Sequence, residues 1–436
     1  MSTRKISRSL LVLLVASLAL ALHALWDHVE RRRLVAGIDA VLSRGEAVQD
    51  TAVPPNAAGA YVSAAAVLVT AIPSEQFEAT IDRGASTPLD VQRVQPGSQA
   101  VRTLLETGTH ALMLADQGDA LGVAKVLGLT DVSRQATGLV GLSQLIALRT
   151  REHAAGGRGD EAAASAVVGL TVRGATGDLP IPLVQASVGD VLSQSQPGQA
   201  ALLAWDAALL GAEDPDAVAK VVERARARMI YQVWRQNYGP SPTALRTQTL
   251  PRPGLLPWLW RPWFSRQISG DLAEWAEVLE VAHRTPAERA AVVTAYEEKR
   301  RAERPQSVFQ RGRWFMGLWP TRAWVSLADA VRRDTLAHDR VTRTVLAIER
   351  FRRTEGGRVP DALADLVPRI LDALPHDPFT DAPPLYRRTG DGYVVYSIGP
   401  NLKDDGGDLS QPAVERDAQG NAYRTSPPDV GIVVTR

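Results

Sequence analysis

An uncharged run from Ser9 to Trp26, rich in leucine and alanine and preceded by Arg4, Lys5 and Arg8, limits this chain more than any other stretch. Eighteen residues at a helical rise of about 1.5 Å reach roughly 27 Å, close to the hydrocarbon thickness of a bilayer. Trp26 stands where an interfacial aromatic is expected, and Asp27 closes the run. Two readings fit: an uncleaved signal-anchor, and a signal peptide cut after Ala19-Leu20-Ala21. Length favours the anchor, because the run exceeds an ordinary signal core and the Ala-x-Ala lies inside it. Arg31, Arg32 and Arg33 follow the run closely, so basic residues flank both ends. The N-terminal position of the span favours its start in the cytoplasm and the bulk of the chain on the far side of the membrane.

With 436 residues the chain is too long for one ordinary domain. A net charge of +1, from 49 basic and 48 acidic residues, supplies no field that would recruit nucleic acid. The absence of cysteine removes disulfides, thiolate catalysis and Cys-based zinc sites.

Residues 30–325 read as a helical domain, rich in alanine and leucine and broken at Pro/Gly clusters. Helices are expected over Leu139 to His153, Asp160 to Val172 and Pro215 to Gln236. The first two form a helical hairpin around Gly156-Gly157-Arg158-Gly159, with Asp160 as N-cap and Ala162 to Ala166 permitting close contact. The hairpin is similar to one tetratricopeptide-type unit, but no fixed period repeats it. Seven of the ten tryptophans fall between Trp258 and Trp324. Leu255 to Phe264 is too short and Pro-broken to span a membrane. It fits either the bilayer surface or packing on the helical core, and packing is the commoner use of such segments. The charged stretch Tyr296 to Arg304 reads as a solvated helix face.

Catalytic signatures are missing: no nucleophile elbow, zincin motif, phosphate loop or dinucleotide fingerprint occurs. The seven histidines are scattered and read as surface or capping residues. A hydrolase without such signatures remains the weakest of three functional readings.

Residues 326–436 have a different character. Val341, Val345, Ile348 and Phe351 line one helical face, which ends at Arg352-Arg353 before Gly356-Gly357. A short helix bounded by Pro360 and Pro368 and a turn at Leu374-Pro375-His376-Asp377-Pro378 come next. Leu385 to Arg388 and Tyr393 to Ile398 form an antiparallel hairpin around Thr389-Gly390-Asp391-Gly392. A polar, glycine-rich loop through Asp404, Asp405 and Asp408 leads towards a last strand from Asp429 to Val434.

This ordered set resembles the C-terminal domain of type II secretion major pseudopilins. The residues that carry the resemblance are Phe351-Arg352, Gly357 with Pro360, Leu363 with Leu366, and Leu374-Pro375 with Asp377-Pro378. Tyr386, Tyr396 through Asn401, and Asp429-Val430-Gly431 complete it, so the match covers about a quarter of the chain. The resemblance implies a small α+β domain at 326–436 behind a transmembrane segment at 1–29 and the helical middle, in a mainly α protein. It also implies a final loop that holds calcium. Asn401 stands where that family's first loop aspartate is expected, Asp429 matches one of its closing pair, and Asp404, Asp405 and Asp408 are further oxygen donors. Pro428 replaces the other closing aspartate. A solvated acidic loop without metal is the alternative, and an EF-hand is excluded by Lys403 and Pro412 at ligand positions.

The N-terminus lacks the glycine and glutamate of a pseudopilin processing site, and the helical domain separates span from module. The expected function is therefore a membrane-anchored, non-enzymatic scaffold or protein-interaction role in the envelope. The alternative is an accessory subunit of a type II secretion or pilus-like system, with pseudopilins as partners.

Overall fold

A computed structural model describes residues 8–43, 57–71, 95–120, 129–176, 187–213, 216–223, 226, 255–284, 288–289, 291–292, 295, 321–390, 392–410, 414–416, 422–424 and 429–436. The protein is mostly helical, with one apolar N-terminal helix and a small three-stranded antiparallel sheet. The helices are α1 (Arg8–Ser43), α2 (Ala57–Ala71), α3 (Gln99–Thr107), α4 (Thr109–Ala120), α5 (Leu129–Ala155) and α6 (Gly159–Thr176). They continue with α7 (Val188–Gln194), α8 (Gln199–Gly211), α9 (Leu255–Ala282) and α10 (Thr321–Thr354). The strands are β1 (Leu385–Thr389), β2 (Gly392–Ser397), β3 (Val414–Arg416), β4 (Ala422–Arg424) and β5 (Val430–Thr435). The expected stretch Tyr296 to Arg304 and most of Pro215 to Gln236 lie outside the described residues, as do Trp314, Trp319, Pro412 and Pro428. The chain divides into two compact units, each made of two segments: 1–50 with 218–327, and 51–217 with 328–436.

In the first unit α1 is long and apolar enough to cross a membrane. Val12, Leu13, Val15 and Leu18 are each at least 60% exposed, so the protein itself does not cover them. Burial begins further along, on one stripe: His23 is half-buried, and Asp27, Glu30 and Leu34 are buried. The steps of four, three and four residues put these positions on a single helical face. That face meets α9. Arg261 Nε donates to Asp27 Oδ1 at 2.7 Å, and a second guanidinium N–H bonds the other oxygen. Ten residues on, Gly37 admits Leu272 so closely that a Cβ there would lie 3.1 Å from its Cδ1. Asp27 pairs with Arg261 and Gly37 meets Leu272, so the two helices run parallel.

The second unit has two cores. In the first, Tyr61, Ala64 and Leu68 of α2 pack with Leu104, Leu112, Leu142 and Ile146 from α3, α4 and α5. Alanine and glycine allow the close approach: a Cβ on Gly138 would fall 2.6 Å from the carbonyl oxygen of Ala65. The hairpin between α5 and α6 turns through Gly157 at φ +70°, where the Arg158 N–H closes on the His153 carbonyl at 2.9 Å. Asp160 lies inside the first turn of α6 rather than capping it. Its carboxylate accepts the N–H of Gly198, which ties the start of α6 to the start of α8.

The second core joins the chain's C-terminal region to its middle. Val341, Val345, Ile348 and Phe351 of α10 share it with Ala162, Ala166, Val188, Val191 and Trp205, and with Tyr393, Val395, Ile432 and Val434 of the sheet. The sheet order is β1-β2-β5, all antiparallel. Thr389 pairs with Gly392 across a two-residue turn. At β5 the Thr435 N–H reaches Ser193 Oγ at 3.0 Å. Residues of α6, α7 and α8 thus share one core with α10 and the sheet. A second hairpin, β3 with β4, was not expected from the sequence.

Candidate functional site

Strand β2 is covered on both faces, and its alternation sorts them. Tyr393 and Val395 face the shared core, whereas Val394 and Tyr396 face the polar loop that follows. Gly407, at φ +81°, sits on them; a Cβ there would come within 3.3 Å of the Tyr396 ring and 3.5 Å of Val394. A glycine suits both the positive φ and the close approach.

The loop is held by its own carboxylates. Asp429 is buried, and its two oxygens accept the N–H groups of Asp405 at 3.4 Å and Gly407 at 2.7 Å. Its own N–H donates to the Asp408 carbonyl at 3.0 Å. Asp404 accepts from the Tyr396 hydroxyl at 3.1 Å and from the Gly406 N–H at 2.9 Å. Asn401 donates its amide to Asp405 at 2.7 Å, while its oxygen accepts the Lys403 N–H. Asp408 accepts from the Ser410 N–H at 2.9 Å. The five expected residues therefore lie in one loop region, where Asn401 bonds Asp405 and the others hold Tyr396 or backbone N–H groups. Among the described residues, no three histidine, aspartate or glutamate side chains converge as a metal requires. Calcium also takes amide and backbone carbonyl oxygens, which this loop supplies beside its carboxylates.

Electrostatics add tension at this point. Burial pushes the Asp429 carboxyl up, and the charges of Asp405 and Asp404 push the same way against the two backbone N–H donors. Tyr396 is raised by burial and by its bond to Asp404. Tyr396 was not among the expected site residues; its place at an even step from Val394 in β2 is the signal that puts it against the loop.

The turn before the sheet is fastened by Asp377, which is buried. Its Oδ1 accepts from Ser397 Oγ at 2.8 Å and from the Phe379 N–H at 3.0 Å. Behind the sheet, Glu349 of α10 is buried and accepts from Tyr393 OH at 2.8 Å and from Arg436 at 2.7 Å. Burial and the Glu349 charge hold the Tyr393 hydroxyl well above its ordinary value. A cleft of about 330 Å³ beside this pair is lined by Arg352, Arg358, Arg388 and Arg436. Each of these arginines already pairs with a carboxylate: Glu349, Glu355, Asp361 and Glu349 in turn. No protein-family model matches the chain, and comparison with curated proteins and with solved structures returns no match.

Proposed function

We propose that the protein is a membrane-anchored bacterial envelope protein with a non-enzymatic scaffold or protein-interaction role, its bulk outside the inner membrane. The uncovered apolar half of α1 carries this reading. From Val12 to Leu22 every side chain is exposed, on all sides of the helix. A helix apolar all round is stable only inside a protein core or in lipid, and no core surrounds this one. Alkaline carbonate extraction tests it: the protein is expected to stay with the membranes, and release into the supernatant would overturn the anchor. Protease treatment of spheroplasts tests orientation, with digestion of the C-terminal module expected from outside.

The module supplies the interaction surface in this reading. A role as accessory subunit of a type II secretion or pilus-like system is supported by the pseudopilin-like order of elements around α10, β1, β2 and β5. Co-purification of pseudopilins with the tagged full chain from membranes would favour it; repeated absence from cross-linked complexes would count against it.

Calcium at the final loop is a further part of the proposal. Asp404, Asp405 and Asp429 crowd negative charge there, and Asn401, Asp408 and backbone carbonyls add hard oxygens. A thermal melt of the full chain in detergent, with calcium and with chelator, is the test. A higher midpoint with calcium is expected, and identical midpoints would remove the ion from the account.

A further inference from the structure

The first turns of α9 carry Leu255-Leu256-Pro257-Trp258-Leu259-Trp260 ahead of Arg261. Two contacts fix their level along α1. Arg261 grips Asp27, and Leu272 packs on Gly37, so 272 − 261 = 11 residues of α9 match 37 − 27 = 10 residues of α1. Leu255, six residues before Arg261, therefore stands level with about residue 21 of α1, roughly 9 Å back from the ion pair. Protein cover on α1 begins at that same level, since Leu22 is exposed, His23 is half-buried and Asp27 is buried. Trp26 is there too, 39% exposed, with its ring edge-on to His23 at 6.0 Å.

We propose that the amino-terminal end of α9 lies in the headgroup and acyl-carbonyl layer of the bilayer beside α1, forming with Trp26 a collar at the end of the span. This rests on the reading of α1 as a membrane anchor. The helix pair is continuous with the exposed apolar run, so whatever covers Val12 to Leu22 also meets Leu259, which is 44% exposed. Tryptophan favours the layer where one side of its ring is apolar and its N–H is wet. The backbone agrees. Pro262 lies inside α9 and has no N–H to give the carbonyl of residue 258, and the interface offers water for that carbonyl where hydrocarbon does not. The Arg261–Asp27 pair then marks the aqueous edge of the collar.

The chain has no cysteine, so single-cysteine variants of the full-length protein report on one site each. Leu18→Cys, Leu259→Cys and Ala276→Cys, all at exposed positions, would be labelled with the fluorophore NBD. Each would be reconstituted into phosphatidylcholine–phosphatidylglycerol vesicles with or without lipid spin-labelled near the headgroup or deep in the chain. Quenching at 259 by the shallow label of at least about twofold is expected, with deep quenching at 18 and none at 276. Quenching at 18 without quenching at 259 would overturn the collar and leave the anchor standing. No quenching at 18 would overturn both. A Trp258→Phe, Trp260→Phe variant provides a second readout that keeps aromatic bulk: it should lose part of the tryptophan emission quenched by brominated lipid. An unchanged quenched fraction would place those rings away from lipid.

Discussion

Helices α1 and α10 are similar in length, 36 and 34 residues, yet they meet opposite surroundings. From Val12 to Leu22 of α1 side chains point in every direction, and among the described residues nothing covers them. On α10 Val341, Val345 and Ile348 share one face, and neighbouring elements bury them together with Leu346 and Ala347 on the other sides of the helix. Its basic residues reach carboxylates of neighbouring elements: Arg343 bonds Asp206 at 2.9 Å and Arg340 lies 3.4 Å from Glu213. A helix with a 3.6-residue apolar stripe finds a protein partner, and one without such a stripe needs another solvent. Length alone does not make an anchor; α10 carries charged residues along its whole length and is covered by protein, whereas no charge interrupts Ser9 to Trp26.

The strongest way to break that contrast is to charge the bare half of α1. Leu14→Arg with Leu18→Arg is expected to cost about 5–7 kcal/mol of membrane insertion, at roughly 3 kcal/mol per arginine near mid-span. The variant should leave the membrane fraction, read by flotation. If it floats with vesicles as the wild type does, lipid is not what α1 meets.

On α10 the matching experiment removes a buried partner. Asp339 is fully buried and holds Arg173 of α6 through two bonds of 2.9 and 2.8 Å. Asp339→Ala leaves that arginine without its carboxylate and is expected to destabilise the second unit by roughly 3–5 kcal/mol. Ile348→Ala, which empties part of the shared core, should cost about 2–4 kcal/mol. Denaturant titration measures both. A cost near zero for Ile348→Ala would mean that α10 is not held by the core around Trp205 and Tyr393.

Those two helices also show what the sequence could and could not reveal. The bare run of α1 is legible because composition alone defines it. The hairpin of β1 and β2 is legible because the Thr389 to Gly392 turn and the β-branched and aromatic run from Tyr393 to Ile398 are local signals. The partners are not local. Asp27 reads as the residue that ends an apolar run, and its real role needs Arg261, 234 positions away. The sequence divided the chain into consecutive pieces, whereas packing places α10 and the sheet in one core with α6, α7 and α8. Nor does an acidic loop announce that Asp429 spends both oxygens on backbone N–H groups; loop aspartates of either use have the same spelling.

That use of Asp429 gives the smallest expected effect. Its carboxyl is raised above the ordinary 3.8 by burial first and by Asp405 and Asp404 next, so the folded state binds this proton more tightly than the unfolded chain. The sign follows from linkage: its contribution to stability is fully present below the unfolded value and is lost as pH rises through the folded one. Asp429→Asn removes the titration while keeping one acceptor for the N–H of Gly407 or Asp405. Between about pH 3 and 6 the variant should therefore gain stability relative to the wild type as pH rises, in paired denaturant titrations. Carboxylates remote from Asp429 titrate alike in both proteins and cancel in the difference. A difference that ran the other way would show that the two N–H donors outweigh burial and the neighbouring charges. The loop would then resemble the neutralised interior around α10 rather than a site under like-charge tension.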